Sequence, residues 1–374
     1  MVEELAQQVQ ENKIQNSLPA PIKIEGMEKD LGAILDSFVG NWRIKIKNRE
    51  IYRQKWEEFL PKEVFNPSKN TNETIYSPWS MAYIPRISIR KTLAKNIGEF
   101  KPGMEKNGNW PYFVLVLNSS RDSRPQTPVP RGEDLLQKNI LDRNMLISEV
   151  GGFYLTPNGF PYHQYASLLI SKEKREQGKV TPSDITDWIK FSFLTDQYVF
   201  FNSIGAGASR PERFHAQVVD PDVIHYEGKT LDYPIRNENV VKKERIREGI
   251  YELKGYSMEA LIFSGKDAPH QSSRLVSNLE GYGLAYNVMV CGSEVYVLAR
   301  NSKRQRSDCI GKNVGGYESS GIILVGNVEE PILGHLGLEK MVHANEIFNE
   351  LSYETICSNL SAASMPTGWM KDSL

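Results

Sequence analysis

The sequence predicts an α+β fold of two similar halves, each with an antiparallel sheet and flanking helices. Three observations carry that expectation. Apolar segments at 145–150, 153–156 and 165–171 are separated by turn signals, chiefly Gly151-Gly152, and read as an antiparallel meander. A well-marked helix follows, with Thr181 as N-cap, Pro182 at the first helical position and Asp184 three residues after the cap. Beyond residue 243 the order of strand pair, helix, strand recurs, although no residue-level repeat is visible.

Taken in order, residues 1–30 are polar, Gln/Asn/Glu-rich and punctuated by Pro19 and Pro21, and are expected to form a flexible N-terminal arm. Residues 31–220 are expected to form the N-terminal half. Leu31, Ile34, Leu35, Phe38, Val39 and Trp42 give one apolar helical stripe, and a second helix is expected around Trp56 to Leu60. Asn66 to Thr74 reads as a loop, aromatic segments follow near Tyr76 to Ile84, and Tyr112 to Leu117 is the first clear strand. Asn118 to Arg131 is an exposed Pro/Arg loop in which Arg121 and Arg124 are phosphate candidates. The capped helix is expected to run from Pro182 to about Phe201 and to lead into a Gly/Ala/Ser loop. Residues 221–374 are expected to form the C-terminal half, entered through a polar connection that reaches Lys243. Its strands are placed at Ile250–Lys254, Met258–Phe263, Tyr286–Cys291, Glu294–Arg300 and Gly321–Val325, with helices at Pro269–Leu279 and Leu338–Leu351.

Composition narrows the function. With 374 residues, 40% hydrophobic and 24% charged, the chain is an ordinary globular one. A formal net charge of −1 gives no general attraction for nucleic acid or an anionic membrane, so any phosphate must be bound locally. Cys291, Cys309 and Cys357 are too few and too scattered for a disulfide framework, and no C-x-x-C pair exists to hold zinc. No signal-peptide layout and no apolar run near the roughly 18 residues of a membrane span is seen, so the expected location is the cytoplasm.

The stretch Asn202 to Val219, N-S-I-G-A-G-A-S-R-P-E-R-F-H-A-Q-V-V, holds the candidate site. If residues 213–219 are extended, Arg213, His215 and Gln217 share one face, and Phe214, Ala216 and Val218 the other. A histidine near neutral pH is already partly unprotonated and needs no strong base to act as a nucleophile. The loop N–H groups around Gly205 to Ser209, the Gln217 amide and the Arg213 guanidinium are suited to phosphate oxygens. A packed, hydrogen-bonded histidine explains the same residues without chemistry.

The pattern N-x-x-x-x-G-A-S-x-P-x-x-x-H-x-Q, read through Asn202, Gly207, Ala208, Ser209, Pro211, His215 and Gln217, resembles the active-site signature of one branch of the histidine-triad (HIT) superfamily. That branch is the galactose-1-phosphate uridylyltransferase-like one, with diadenosine tetraphosphate phosphorylases and GDP-sugar phosphorylases. Pro161 to Lys174, Tyr286-Asn287-Val288 and Val297 to Arg300 are similar to its strands, with Ala299 where proline is usual. The resemblance implies two HIT-like halves and a covalent nucleotidyl-histidine intermediate on His215. It also implies phosphate contacts from Gln217 and Ser209, with Asn202 opening the loop. Arg300 is a further phosphate candidate. Tyr317 and Glu318, in V-G-G-Y-E, are similar to a sugar or acceptor pocket. Two departures stand out: Arg213 occupies the place of the first motif histidine, and one extra residue separates Pro211 from His215. Since that first histidine can ligate zinc in uridylyltransferases, Arg213 and the missing C-x-x-C argue against a structural metal.

The expected activity is therefore that of a nucleotidyltransferase or phosphorylase without a cofactor. Its substrate is a sugar nucleotide or dinucleoside polyphosphate, and its acceptor phosphate or a sugar phosphate. The alternatives are a hydrolase of the same fold and a non-catalytic nucleotide-binding protein. Many members of that branch are homodimers, and the resemblance extends that expectation to this chain.

Overall fold

The computed structural model describes residues 20–59, 62–66, 71–75, 114–117, 145–158, 165–301 (apart from 209, 222–224, 227–228, 231–232, 237 and 239–240), 306–307, 312–325 and 360–372. The fold is α+β, organised around one ten-stranded antiparallel sheet. Its strands in chain order are β1 (Ser148–Val150), β2 (Phe153–Pro157), β3 (Ser167–Ser171), β4 (Tyr198–Asn202), β5 (His215–Val219), β6 (Lys242–Arg247), β7 (Ile250–Lys254), β8 (Leu261–Ser264), β9 (Ala285–Cys291) and β10 (Glu294–Arg300). The helices used below are α1 (Leu31–Asp36), α2 (Phe38–Glu57), α3 (Pro182–Thr195), α4 (Ala268–Gly281) and the short α5 (Gly316–Ser319).

Across the sheet the order is β1-β2-β3-β5-β4 followed by β9-β10-β8-β7-β6. Both sets follow the chain order of three strands, a helix and two strands, and their fourth strands meet at the centre. There β4 and β9 pair over five residues, from Tyr198↔Cys291 to Asn202↔Asn287. The topology is thus symmetric about that central pair.

The capping signal is realised: the Asp184 amide donates to Thr181 Oγ1 (3.2 Å) and the Thr181 amide to Asp184 Oδ2 (2.8 Å). Helix α3 stops earlier than the sequence suggests. Asp196 takes the left-handed conformation (φ 60°), and the chain turns straight into β4. The expectation of helix as far as Phe201 is corrected here, because Tyr198–Asn202 is a central strand buried along its whole length. A continuous apolar run of that length does not distinguish strand from helix by periodicity.

Helices α3 and α4 cover one face of the sheet. Trp188 of α3 stacks on Phe201 (5.6 Å between ring centroids) and on Phe214 (6.1 Å), while Tyr286 continues the row from β9 (5.9 Å from Phe201). Burying each Phe-sized side chain is worth roughly 1.5–3 kcal/mol, so this aromatic row is a principal stabiliser of the central strands. Phe214, Ala216 and Val218 lie in this core, which leaves His215 and Gln217 for the opposite face, as the two-residue period requires.

Helix α2 packs across the strand ends. Its Trp56 Nε1 donates to Ala166 O (3.0 Å), Tyr52 bonds Ser167 Oγ (2.9 Å), and Arg49 and Arg53 hold Asp220, which follows β5. Residues 20–30, expected to fray with the arm, are instead docked: the Ile22 amide donates to Ile147 O (2.8 Å) and Ile24 is buried. Apolar residues in that stretch have a sheet edge to cover. Where a loop is expected from Asn66 to Thr74, strands Lys62–Asn66 and Thr71–Ile75 pair antiparallel. Val114–Leu117 pairs in parallel with Ile322–Val325, outside the main antiparallel sheet. The segments Tyr76–Ile84, Asn118–Arg131 and Leu338–Leu351 lie outside the described residues. No described helix is long and apolar enough to cross a membrane.

Candidate functional site

The register of β4 against β5 (Tyr198↔Val219, Val199↔Val218, Phe200↔Gln217) would bring Asn202 opposite His215 if the ladder continued. It does not continue. The side chain of Gln177, from the connection between β3 and α3, stands between the two strand ends. Its Nε2 donates to Asn202 O (2.9 Å) and His215 O (2.8 Å), and its Oε1 accepts from the His215 amide (2.8 Å). The strands splay there, and residues 203–214 leave the sheet as a loop. In the symmetric position β9 and β10 are joined only by the turn Gly292-Ser293, so the C-terminal set of strands has no counterpart of this loop.

His215 is buried, with 6% of its surface exposed. Its Nδ1 lies 2.8 Å from Arg213 O. A carbonyl oxygen only accepts, so Nδ1 carries the proton and neutral His215 keeps its lone pair on Nε2. Burial pushes the imidazole below its ordinary pKa, against smaller upward effects of the Arg213 carbonyl and Glu212. At neutral pH the ring is therefore uncharged, with one nitrogen tied back and the other basic. That is the state a nucleophile requires.

Asn202, at the end of β4, is fixed by β9 and α5. Its Oδ1 accepts from Asn287 Nδ2 (2.8 Å) and from the Gly316 amide (2.8 Å), so Asn202 can offer a ligand only its Nδ2 donor. Asn287 also donates to Ala206 O (2.9 Å), and its Oδ1 accepts from Arg300 Nη1 (2.6 Å). Arg300 is almost wholly buried and donates further to Ser319 Oγ (2.8 Å) and Ala363 O (3.1 Å). Burial lowers its pKa to about 10 while Glu318 opposes the shift, which leaves the guanidinium charged at neutral pH. A chain Arg300–Asn287–Asn202 thus links the buried cation to the last residue of β4, from which the loop departs.

The glycine loop is seated on V-G-G-Y-E. Gly207 has φ +97°, and a Cβ there would lie 2.7 Å from Gly315 Cα, so only glycine fits both the conformation and the approach. Ala206 is buried, and its amide is used within the turn, donating to Ser203 O (2.9 Å). Glu318 Oε2 accepts from the Gly315 amide (3.0 Å), and Tyr317 packs edge-on against Phe200 (6.1 Å) and Tyr233 (6.0 Å). Both are buried, which gives them work in holding this turn.

The structure links Asn202 to Arg300 through Asn287, seats Gly207 against Gly315 beside Tyr317 and Glu318, and ties Asn202 to His215 through Gln177. Arg213 departs from the expected shared face: it precedes β5, and its buried guanidinium donates from Nη2 to Ser171 O (2.8 Å). Its backbone carbonyl touches His215 Nδ1. Ser209, Arg121 and Arg124 lie outside the described residues. Sequence reasoning passed over Gln177 entirely, and no local pattern marks it. Asn287 was visible only within the Tyr286-Asn287-Val288 resemblance. Among the described residues, no three His, Cys, Asp or Glu side chains are grouped so as to hold a metal ion.

No family model and no curated protein matches the chain. Solved structures do resemble it. Yeast Ap4A phosphorylase Apa2 in complex with Ap4A has a TM-score of 0.51 at 15% identity, covering 84% of this chain and 97% of the enzyme. The same enzyme in complex with AMP gives 0.45 at 17% identity, covering 75% and 99%. The likeness to the Ap4A complex is one of fold.

Proposed function

We propose that this protein is a nucleotidyltransferase or phosphorylase that attacks a nucleoside di- or polyphosphate through His215 and carries the nucleotidyl group as a covalent adduct. The observation that carries this reading is the His215 imidazole, neutral, with Nδ1 held by a backbone carbonyl, at the strand end where the chain returns from the glycine loop. In the first step the Nε2 lone pair forms a bond to the phosphorus of the transferred group. The P–O bond to the leaving phosphate breaks, and that oxygen departs with the electron pair. The positive ring so formed keeps its Nδ1 proton, and the Arg213 carbonyl stabilises it. Phosphate or a sugar phosphate then displaces Nε2 and restores the neutral histidine. Asn202 Nδ2, Gln217 and the loop amides of Gly207, Ala208 and Ser209 are assigned to the phosphate oxygens; Arg300 adds positive potential through Asn287; and Tyr317 and Glu318 border the acceptor side.

We take residues 31–220 and 221–374 as two histidine-triad-like halves with one active site, in the first; the symmetric strand order and the missing second loop support this. A dinucleoside polyphosphate is the first donor to test, because the structure of similar fold is an Ap4A phosphorylase in complex with Ap4A. Intact mass measured after mixing the protein with Ap4A or with nucleoside diphosphate sugars should show an acid-labile nucleoside monophosphate adduct that His215→Ala abolishes. No adduct with any donor, or an undiminished one in His215→Ala, sinks the reading. Full turnover with phosphate and sugar phosphate omitted would make water the acceptor.

A further inference from the structure

Gln177 is 1% exposed and bonds both ends of the site loop. Its side-chain amide engages the His215 amide, His215 O and Asn202 O, and its backbone amide donates to Pro211 O (2.7 Å). The amide cannot be flipped, since one end meets an N–H and the other two carbonyls. The post that carries it is itself gripped. Arg175 O accepts from the Phe214 amide (2.7 Å), and the Arg175 guanidinium lies 3.6 Å from the Phe214 ring centroid.

We propose that Gln177 is a positioning residue for the reaction at His215: its amide replaces the missing strand partner, holds β4 and β5 apart and fixes where the imidazole stands. This rests on the nucleotidyl-transfer reading above. A side chain in place of a ladder bond lets the strand end open for a loop without leaving three buried backbone groups unpaired. It also sets the His215 backbone, and with it the distance from Nδ1 to Arg213 O and the aim of Nε2. A displacement of about 1 Å at such a point costs on the order of a hundredfold in rate.

The test is Gln177→Glu, of nearly the same shape, which loses the N–H groups that two carbonyls require and sets a negative charge against them. Two measurements are made on the full chain: the rate of adduct formation at saturating donor, and the tautomer of His215 from long-range proton–nitrogen correlation spectra assigned with His215→Ala. The expected result is a 10- to 100-fold slower adduct rate, donor KM within about threefold, and loss of the single Nδ1-protonated form. An adduct rate within twofold of wild type, or an unchanged tautomer, overturns the proposal. Should Gln177→Glu not fold, Gln177→Asn, which keeps the amide on a shorter arm, is read in the same way. If the wild type forms no adduct, the nucleotidyl-transfer reading falls, while the tautomer comparison still decides whether Gln177 positions the ring.

Discussion

Asp220 sits at the far end of β5 from His215 and is wholly buried. It accepts from Arg49 Nη2 (2.9 Å), Arg53 Nε (2.6 Å) and Arg53 Nη2 (2.8 Å), so three charge-assisted bonds fasten α2 to the site strand. Asp220→Asn removes the charge and turns an NH₂ group towards two guanidinium groups. Breaking a buried ion pair by removing one partner costs about 3–5 kcal/mol. Arg53 keeps 28% of its side chain exposed and can rehydrate, which places the expected loss near the lower end, about 3 kcal/mol. Urea denaturation followed by far-UV circular dichroism should show a lower midpoint at unchanged slope. The pH dependence supplies a second check. Burial raises the Asp220 pKa, but the hydrogen bonds and charges of Arg53 and Arg49 outweigh it, and the net value lies below the ordinary 3.8. A depressed carboxyl contributes stability that is complete above the unfolded pKa, about 3.9, and is lost as pH falls through the folded value. The wild type should therefore exceed Asp220→Asn by a constant margin from pH 8 to pH 5, with the margin closing only in stronger acid. A loss under about 1 kcal/mol, or a margin that closes between pH 7 and pH 5, refutes the assigned role.

Two further outcomes follow from the site. Gly207→Ala places a Cβ 2.7 Å from Gly315 Cα at φ +97°; strain and overpacking together should cost about 2–4 kcal/mol and abolish any nucleotide-induced thermal shift, whereas a loss below about 0.5 kcal/mol would show that the loop is not seated on Gly315. The rate at which diethyl pyrocarbonate modifies His215, mapped by peptide mass against pH, should fall only in acid, with a midpoint below about 6.5, because burial favours the neutral ring; a midpoint at 7 or above would contradict that.

What the sequence revealed was local. The cap at Thr181–Asp184 and the turns at Gly151 and Gly292 act within a few residues of themselves, and the structure uses them as expected. The alternation from Phe214 to Val218 marks Phe214, Ala216 and Val218 as core, since that face has α3 against it. Strand β4 is not separable from the preceding helix in the sequence, because Y-V-F-F is buried along its length and alternation is lost where both faces are covered. The two-residue period applies only from His215, where the strand starts; Arg213 lies before it, so the period does not fix the direction of its side chain. Gln177 and Asn287 meet their partners only through tertiary folding, across 38 and 85 residues, and no periodicity reports such contacts.

The β4·β9 ladder has a mechanical consequence. Two lobes joined by a linker can swing shut on a substrate, but here the sheet runs unbroken through the joint, and a hinge would have to tear five antiparallel residue pairs apart. The plate therefore moves as one piece. A mutation that loosens the centre of the sheet should therefore cost stability and disturb the placement of β4 against β9 together.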